Sequence, residues 1–260
     1  MHPQLLSIAG VLLPLVWSMP VQALDGRLEA ERGEFRLRLD DGRVLERQDL
    51  AGMRVLLRSG AREIQVLIDA VEEEKASPGG PLVLYRLLIE DPNTGSSQDA
   101  CLPDARGRRL GLPLRKGSGI DFTCTSGAEA KCILIGYRPW EEGGDIPMRD
   151  LHAACIHMVR ADHGGDDRPS TRDGTVIDVY DRFGIQKPET LDPMPFEAAW
   201  GVNGALCVAH PRIAQNTTLA MLEKRYPRLA GRLGPEACIE DEMRDDPRAL
   251  LFNRSVLSVP

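Results

Sequence analysis

Apolar and polar residues alternate along the first third of the chain. Phe35, Leu37 and Leu39 are separated by arginines, and an Asp-Gly pair at 41–42 follows them as a tight turn. The segments "REIQVLID" and "PLVLYRLLIE" continue the alternation. Because successive side chains of a strand point to opposite faces, this pattern predicts a β-rich N-terminal region over residues 24–98.

Arginines occupy the polar positions of the first predicted hairpin. They are Arg36, Arg38, Arg43 and Arg47. They form either a ligand-facing basic stripe or the solvated face of a half-buried sheet. The second interpretation is favoured, because an antiparallel sheet commonly exposes one polar face to water.

The character of the chain changes near residue 98. The segment "EDPNTGSSQD", residues 90–99, is rich in turn-forming residues, and the cysteines begin just after it. The segment marks either a long hairpin loop or a boundary. We predict a boundary here, with a mixed domain over residues 99–260.

Helical and strand patterns alternate in this second region. A short helix is predicted in "SGAEAKCILIGYRPW", capped by Ser126 and ended by Gly136, and a longer one in "RDLHAACIHMVRA". A strand in "VIDVYD", a hairpin turning at 203–204 and a helix ending near Pro227 follow. The predicted fold class is α+β, with a β-rich N-terminal unit followed by a disulfide-stabilised mixed domain of antiparallel strands and short helices.

The chain begins with an apolar segment that is typical of a signal peptide. Residues 5–17 are apolar, and Ala23, preceded by Val21, offers a small-residue cleavage site. The segment lacks the usual preceding Lys or Arg, but it is too short to span a bilayer and contains Pro14. We therefore expect residues 1–23 to be removed and the mature protein to be soluble, periplasmic or extracellular, with no stable membrane anchor.

Composition indicates a globular protein and argues against nucleic acid as a partner. Hydrophobic residues make up 42% of the sequence, and 32 basic against 39 acidic residues give a net charge of -7. The sequence contains no basic tract that would neutralise phosphates. No other partner can be identified from the sequence, and no cofactor is predicted.

Six cysteines lie in the second half of the chain: Cys101, Cys124, Cys132, Cys155, Cys207 and Cys238. In an exported protein they are expected to pair, so three disulfides are predicted. None has the close spacing of a structural zinc site. Several connectivities are possible, and our choice joins Cys132 with Cys155 and Cys207 with Cys238.

The most charged segment, "MVRADHGGDDRPSTRDGTVIDVYDRFGIQ", spans residues 158–186. A calcium loop is the first hypothesis, with Asp162, Asp166 and Asp173 at EF-hand spacing. The sixth position of such a loop needs glycine for its turn, and Asp167 stands there. An ordinary Asp-rich turn is therefore favoured, and no metal site is predicted.

Acid/base catalysis is the second hypothesis for this segment. The candidate residues are His152, Asp162, His163 and Asp173. They could place a histidine beside an orienting carboxylate, but a nucleophile is harder to identify. Ser170 lacks an elbow motif, and all six cysteines are expected in disulfides. The interpretation that the protein is not an enzyme is therefore favoured, with a secreted hydrolase whose site lies within residues 152–178 as the alternative.

The third hypothesis is architectural, and it is the one we favour. The segment joins a predicted helix to a predicted strand, and its charged residues are of the types that tie loops to strands through charge-assisted hydrogen bonds. The predicted structural polar network consists of Arg160, Asp162, Arg172, Asp173 and Asp178.

Two tryptophans, Trp140 and Trp200, lie near cysteines in the sequence. Each is interpreted as a core aromatic packed beside a disulfide, because aromatic residues make up only 5% of the chain and the core needs them. The alternative is a platform on which a carbohydrate stacks.

Four blocks of the second region, in their order and spacing, resemble the ADYC domain family of exported bacterial proteins. The blocks are "AKCILIGYRPW", "LHAACIHMVRAD", "TRDGTVIDVYDRFGIQ" and "FEAAWGVNGALCV". The resemblance covers roughly residues 121–255, and the β-rich front is also similar to the front of those proteins. It implies an exported protein with an ADYC-like α+β domain over residues 99–260, but it implies no reaction.

The chain departs from the family at its signature. The family's Ala-Asp-Tyr-Cys stands here as Ala-Asp-His-Gly at 161–164, and its His-Thr pair as Ser-Thr at 170–171. The family also has a cysteine near 225–226, where this chain has Arg-Tyr. The resemblance therefore implies that a cysteine pair was lost as a unit, and that the signature cysteine is a structural crosslink rather than a nucleophile.

These observations favour an exported, soluble protein that acts as a disulfide-stabilised binding or structural domain. For the charged segment at 158–186, a structural joint between helix and strand is therefore favoured over a functional site.

Overall fold

The computed structural model describes residues 25–59, 62–91, 94–142, 144–189 and 194–257. The predicted signal peptide, residues 1–23, lies outside them. Within these ranges the chain forms three antiparallel sheets and four short α-helices, which confirms the α+β prediction.

The first sheet has three strands in the order β1-β2-β3. They are β1 (Gly26–Glu31), β2 (Glu34–Leu39) and β3 (Val44–Glu46). Phe35, Leu37 and Leu39 are buried on one face, as their alternation predicts. The Gly42 amide donates to the Leu39 carbonyl (2.9 Å), and Gly42 adopts φ 89° in the turn. The predicted hairpin is confirmed.

A second sheet of six strands packs against the first. Its main path is β4-β5-β6-β8-β9, and β7 pairs with β6. The strands are β4 (Arg54–Ser59), β5 (Arg62–Glu74), β6 (Leu82–Glu90), β7 (Ser97–Asp99), β8 (Gly111–Lys116) and β9 (Gly119–Cys124). The two sheets share one apolar core, in which the rings of Phe35 and Tyr85 meet edge to face with centroids 4.9 Å apart.

This second sheet contains strands from both sides of the boundary predicted between residues 98 and 99. β6 precedes the boundary, and β8 and β9 follow it. The division into residues 24–98 and 99–260 stays a prediction.

The first helix, α1 (Ala128–Leu134), begins without a side-chain cap. Gly127 is the residue that precedes it, and the Gly127 amide donates to the Cys124 carbonyl (2.7 Å). Ser126 therefore lies inside the turn that follows β9, and its prediction as the cap is wrong. Gly136 follows the end of the helix in a left-handed conformation with φ 103°, as predicted for a terminating glycine.

The second helix, α2 (Met148–Arg160), buries the apolar stripe that its sequence predicts. The buried residues of the stripe are Leu151, Ala154, Cys155 and Met158. They pack with Trp200 and Leu251 in one core cluster. Burying the side chains of Leu151 and Met158 contributes roughly 1.5 to 3 kcal/mol each. The helix therefore depends on the sheet beneath it rather than on helix propensity alone.

The third sheet has four strands in the order β10-β13-β11-β12. They are β10 (Ile177–Asp181), β11 (Phe196–Gly201), β12 (Gly204–Val208) and β13 (Leu251–Ser255). The strand after the charged segment and the hairpin at 203–204 are confirmed. No pattern in the sequence predicts β13, because Asn253 and Ser255 are polar and yet completely buried.

Two further helices, α3 (Leu219–Arg225) and α4 (Glu240–Asp245), lie in the last part of the chain. Thr218 caps α3 by accepting the Met221 amide (3.2 Å), and the helix ends before Pro227, as predicted. Within the described ranges, no helix combines the length and the apolar character needed to cross a bilayer.

All six cysteines are paired. The two predicted disulfides, Cys132 with Cys155 and Cys207 with Cys238, are confirmed, and the third joins Cys101 to Cys124. The first of these crosslinks α1 to α2, and the second crosslinks β12 to the segment before α4. Sequence separations of 23 and 31 residues correspond to about 3 to 4 kcal/mol of stabilisation per disulfide in the chain-entropy account.

Candidate functional site at the joint between α2 and β10

Asp162 organises the loop that follows α2. Its buried carboxylate accepts hydrogen bonds from the amides of Gly165 (3.1 Å), Asp166 (3.3 Å) and Asp167 (3.0 Å). Nδ1 of His157, on the last turn of α2, lies 3.0 Å from Oδ2. Burial disfavours the charged form, but the hydrogen bonds outweigh it and hold the pKa of Asp162 below its usual value. The carboxylate is thus engaged in closing its own loop.

His163 lies in the core beneath this loop. Its ring stacks on Trp200 with centroids 5.3 Å apart. Nδ1 lies 3.4 Å from the Ser170 hydroxyl, which also donates to the Ala161 carbonyl (2.8 Å). Nε2 is buried without a partner among the described residues. Burial lowers the pKa of His163 to about 4, so the ring is neutral at neutral pH.

His152 connects the two central helices. It is buried on α2, and its Nε2 lies 3.1 Å from the backbone carbonyl of Glu129 on α1. Burial lowers the pKa of His152, although the hydrogen bond to this carbonyl opposes the shift. A neutral imidazole that donates to α1 supports the helix pair beside the disulfide between Cys132 and Cys155.

The four catalytic candidates have different surroundings. His152 contacts α1, Asp162 contacts its own loop, and His163 contacts the core. Asp173 is exposed in the turn before β10. Among the described residues, no side-chain hydrogen bond joins any two of the four.

The predicted polar network divides into separate contacts. Arg160 pairs with the exposed Asp167 rather than with Asp162. Arg172 donates to the side-chain oxygen of Asn216 (3.4 Å). Asp178 accepts the backbone amide of residue 189 (3.1 Å). The structure therefore does not bring these residues together around one centre, and their joint role stays a prediction.

No pattern in the sequence predicts the buried ion pair that lies beneath the joint. Glu197 on β11 and Arg212 are 0% and 1% exposed, and the guanidinium binds both carboxylate oxygens (2.9 and 3.0 Å). Burial opposes ionisation, but the charge of Arg212 holds the pKa of Glu197 below its usual value. Arg212 also donates to the carbonyls of Met158 (2.7 Å) and Val159 (2.9 Å) at the end of α2. A cation there complements the helix dipole.

Two side chains of the third sheet extend this ion pair into a network. Asn253 on β13 donates to Glu197 (2.8 Å), and the Trp200 indole donates to the Asn253 oxygen (2.7 Å). Trp200 is completely buried, as its core interpretation predicts. The network therefore extends from Trp200, on which the His163 ring stacks, to the C-terminal end of α2.

Two glycines let the loop approach its neighbours closely. A Cβ atom at Gly164 would lie 2.3 Å from the Tyr226 ring, and one at Gly165 would lie 2.4 Å from the Asn203 oxygen. Arg228 holds the same loop against the hairpin, because it donates to the Asn203 carbonyl (3.0 Å) and to two carbonyls of the loop. Larger residues at these glycine positions would push the loop away from the hairpin.

Three surface pockets of about 310 to 440 Å³ are lined mainly by residues outside the charged segment, and Gln186, at its end, lines one of them. In the described part of the chain, no group of three or more His, Cys, Asp or Glu side chains is placed to hold a metal ion.

The fold and this joint define a class of protein, a disulfide-crosslinked α+β protein in which buried polar contacts connect a helix to a sheet. The family model of the ADYC domain matches residues 47–214, and the chain belongs to the ADYC domain family. No curated protein and no solved structure matches the chain.

The family match includes the joint and both partners of the buried ion pair, and it crosses the predicted boundary at residue 98. The resemblance places a family cysteine at the position of Gly164 and another near Tyr226. These two positions are adjacent in the structure, because a Cβ atom at Gly164 would lie 2.3 Å from the Tyr226 ring. The loss of a cysteine pair stays a prediction.

Proposed function

We propose that the protein is an exported binding protein without catalytic activity, in which three disulfides and the polar joint form a rigid scaffold. The observation that carries this proposal is that the polar side chains of the joint bind other groups of the protein itself. Asp162 closes its own loop, and the ion pair of Glu197 and Arg212 is completed by protein groups. Buried polar networks satisfied in this way make a fold rigid and specific.

Export is supported by two independent features. All six cysteines are in disulfides, which persist in oxidising compartments. The apolar segment at residues 5–17 has the length and the cleavage site of a signal peptide. The proposed location is the periplasm or the exterior of the cell.

The absence of catalysis is supported by the state of the candidate groups. A hydrolase needs a base that reaches both a nucleophile and the substrate. His163 is buried and neutral, and the Ser170 hydroxyl beside it already donates to a backbone carbonyl. His152 is engaged with α1.

Expression of the full chain in a bacterium, followed by cell fractionation and thiol labelling in denaturant, tests the export proposal. We expect the protein outside the cytoplasm, beginning near residue 24, with no thiol that reacts before reduction. A Cys132→Ser variant is the labelling control, because it should expose the single thiol of Cys155. A cytoplasmic protein with reactive cysteines would refute the proposal.

A panel of ester, peptide and glycoside substrates tests the absence of catalysis. We expect no turnover above the buffer background. Turnover by the wild-type protein that disappears in a His152→Gln variant with an unchanged melting temperature would establish the hydrolase alternative instead.

A further inference from the structure

A charged cleft of about 310 Å³ lies between the first sheet and the segments that begin β6 and follow α1. Its walls are mainly polar and include four arginines and four glutamates. The arginines are Arg32, Arg36, Arg47 and Arg138. We call this site the arginine cleft. Its volume lies within the range that small-molecule sites occupy.

The cleft brings together residues for which the sequence left a ligand-binding role open. Arg36 and Arg47 belong to the stripe that was open to a ligand-binding interpretation, and Trp140 is the tryptophan with a carbohydrate-stacking alternative. Trp140 is only partly buried, in contrast to Trp200. Arg38 and Arg43, the other two arginines of the stripe, pair with Glu29 and Asp41 away from the cleft.

Three of the four arginines of the cleft form ion pairs with its glutamates. Arg36 lies 2.7 Å from Glu31 and 3.2 Å from Glu46. Arg47 binds both oxygens of Glu34 (2.9 and 3.0 Å), and Arg138 lies 3.2 Å from Glu141.

Arg32 has no side-chain partner among the described residues, and its side chain is exposed. The four arginines and four glutamates of the cleft offset one another in number, and Arg32 is the one cleft arginine whose guanidinium has no ion pair among the described residues. A guanidinium in this setting matches a carboxylate through paired N–H donors.

The floor of the cleft is built around Arg138. This residue is 5% exposed, and its side chain donates to the Gly79 carbonyl (3.0 Å), the Gly80 carbonyl and the Ser77 hydroxyl (3.1 Å). Its Nε is buried without a partner in the described chain. The guanidinium lies against Gly79, where a Cβ atom would come within 3.4 Å of Cζ. Arg138 is therefore a fixed, nearly buried cation rather than a solvated surface charge.

Arg32 lies in the two-residue turn between β1 and β2. Arg32 and Gly33 adopt φ 51° and φ 79°, the usual conformation of such a turn, which presents the Arg32 side chain at the rim. Next to Arg32, a Cβ atom at Gly33 would lie 2.7 Å from Trp140, so the tryptophan packs directly against this turn.

We propose that the arginine cleft binds an acidic sugar, a hexuronate ring of a saccharide. Sugar hydroxyls accept from arginines and donate to glutamates, and both groups alternate in the cleft. The carboxylate of the ring pairs with Arg32, and the apolar face of the ring lies against Trp140. This inference rests on the proposed function as a binding protein and names its ligand.

The cleft is arranged for binding rather than for cleavage. Hydrolysis of a glycosidic bond needs a carboxylic acid that carries a proton and a second free carboxylate. Each of the four glutamates of the cleft contacts an arginine instead. These contacts hold the glutamates in place as acceptors of hydroxyl groups.

Isothermal titration of the full mature protein with galacturonate oligomers, and with galactose oligomers of the same length, tests the proposal. We expect saturable binding of one oligomer per protein, and binding of the neutral oligomer roughly tenfold weaker or more, since the pairing of its carboxylate is lost. Monomeric galacturonate distinguishes recognition of a single ring from recognition of a chain.

Two arginine variants localise the site. Arg32→Asn keeps a residue that tolerates positive φ and should weaken galacturonate binding by roughly tenfold, with an unchanged melting temperature. Arg43→Asn removes an exposed arginine of the same sheet outside the cleft and should bind as the wild type does. Equal losses in both variants would overturn the assignment.

Three further results would overturn it: no binding of either oligomer, equal binding of the acidic and the neutral oligomer, or displacement of galacturonate by inorganic phosphate at the same concentration. The outcome for the proposed function is separate. An exported, oxidised protein that binds no saccharide would leave the proposed function standing. Shortening of the oligomers during incubation would contradict the proposed absence of catalysis, but not the assignment of the arginine cleft as a saccharide site.

Discussion

At the scale of single residues, Asp162 shows that a sequence can indicate an important side chain without indicating what that side chain does. Asp162 stands out in the sequence as both a catalytic candidate and a network member. The hydrogen bonds that it accepts from three following amides can be expected from the local sequence, since Asp readily closes turns. The burial of His163 against Trp200 could not be predicted, because it depends on a strand that begins more than thirty residues later.

His163 should make stability fall as the solution becomes acidic. Its folded pKa is about 4 and its ordinary value is 6.5, so only the unfolded chain takes up this proton between those values. The full stability is present above pH 6.5 and is lost as pH falls towards 4, by roughly 3 kcal/mol. Urea unfolding across this range measures the loss.

The matched variant for this prediction is His163→Phe, which keeps an aromatic ring against Trp200 and removes the titration. Its free energy of unfolding should change less between neutral pH and about pH 4 than that of the wild type. His152 has a lowered pKa of the same origin and contributes equally to both proteins. Identical pH slopes for the two proteins would show that His163 is not responsible.

Gly164 should not tolerate a side chain while Tyr226 is present. A Cβ atom there would lie 2.3 Å from the ring, so Gly164→Ala should cost roughly 1 to 3 kcal/mol through overpacking. Tyr226→Ala removes the ring and its hydrogen bond to Asp166 (3.0 Å), and the double variant should cost less than the sum of both. Gly144→Ala, which meets no atom within 4 Å, is the control and should change stability by less than about 0.5 kcal/mol. Strict additivity in the denaturation experiment would contradict the predicted contact.

At the scale of elements, α2 is the central connector of the second half. A disulfide and His152 fix it to α1, its apolar stripe packs on the third sheet, and Arg212 binds its last carbonyls. The period of the stripe predicts the helix and its buried face, because helical spacing places those residues together. Arg212 lies in an irregular segment, so no periodicity indicates that it completes the end of this helix.

Arg212→Met should be among the most destabilising single changes at the joint. It leaves Glu197 buried without its cation and removes two bonds to α2, which costs roughly 3 to 5 kcal/mol. Arg160→Met, on the same helix, breaks an ion pair with the exposed Asp167 and should cost less than about 1 kcal/mol.

The double variant Arg212→Met with Glu197→Leu should recover most of this loss, because two apolar side chains replace two buried charges. Urea denaturation of the four proteins measures the differences. A loss for Arg212→Met no larger than that for Arg160→Met would show that the buried pair does not hold the helix to the sheet.

At the scale of the whole molecule, the period of apolar residues and the content of cysteine were sufficient for the fold class. Backbone geometry decides where side chains point, so alternation predicts β2, β5 and β6 and a helical stripe predicts α2. Six cysteines in a chain with an apolar leader predict crosslinking, and the two chosen pairs are present. Only the tertiary structure decided the centre of the third sheet, the ion pair of Glu197 and Arg212, and the meeting of Arg32 with Trp140 in one cleft. These features depend on which polar groups, distant in the sequence, are buried next to each other. The identity of a charged or amide residue specifies neither its partner nor how deeply it is buried.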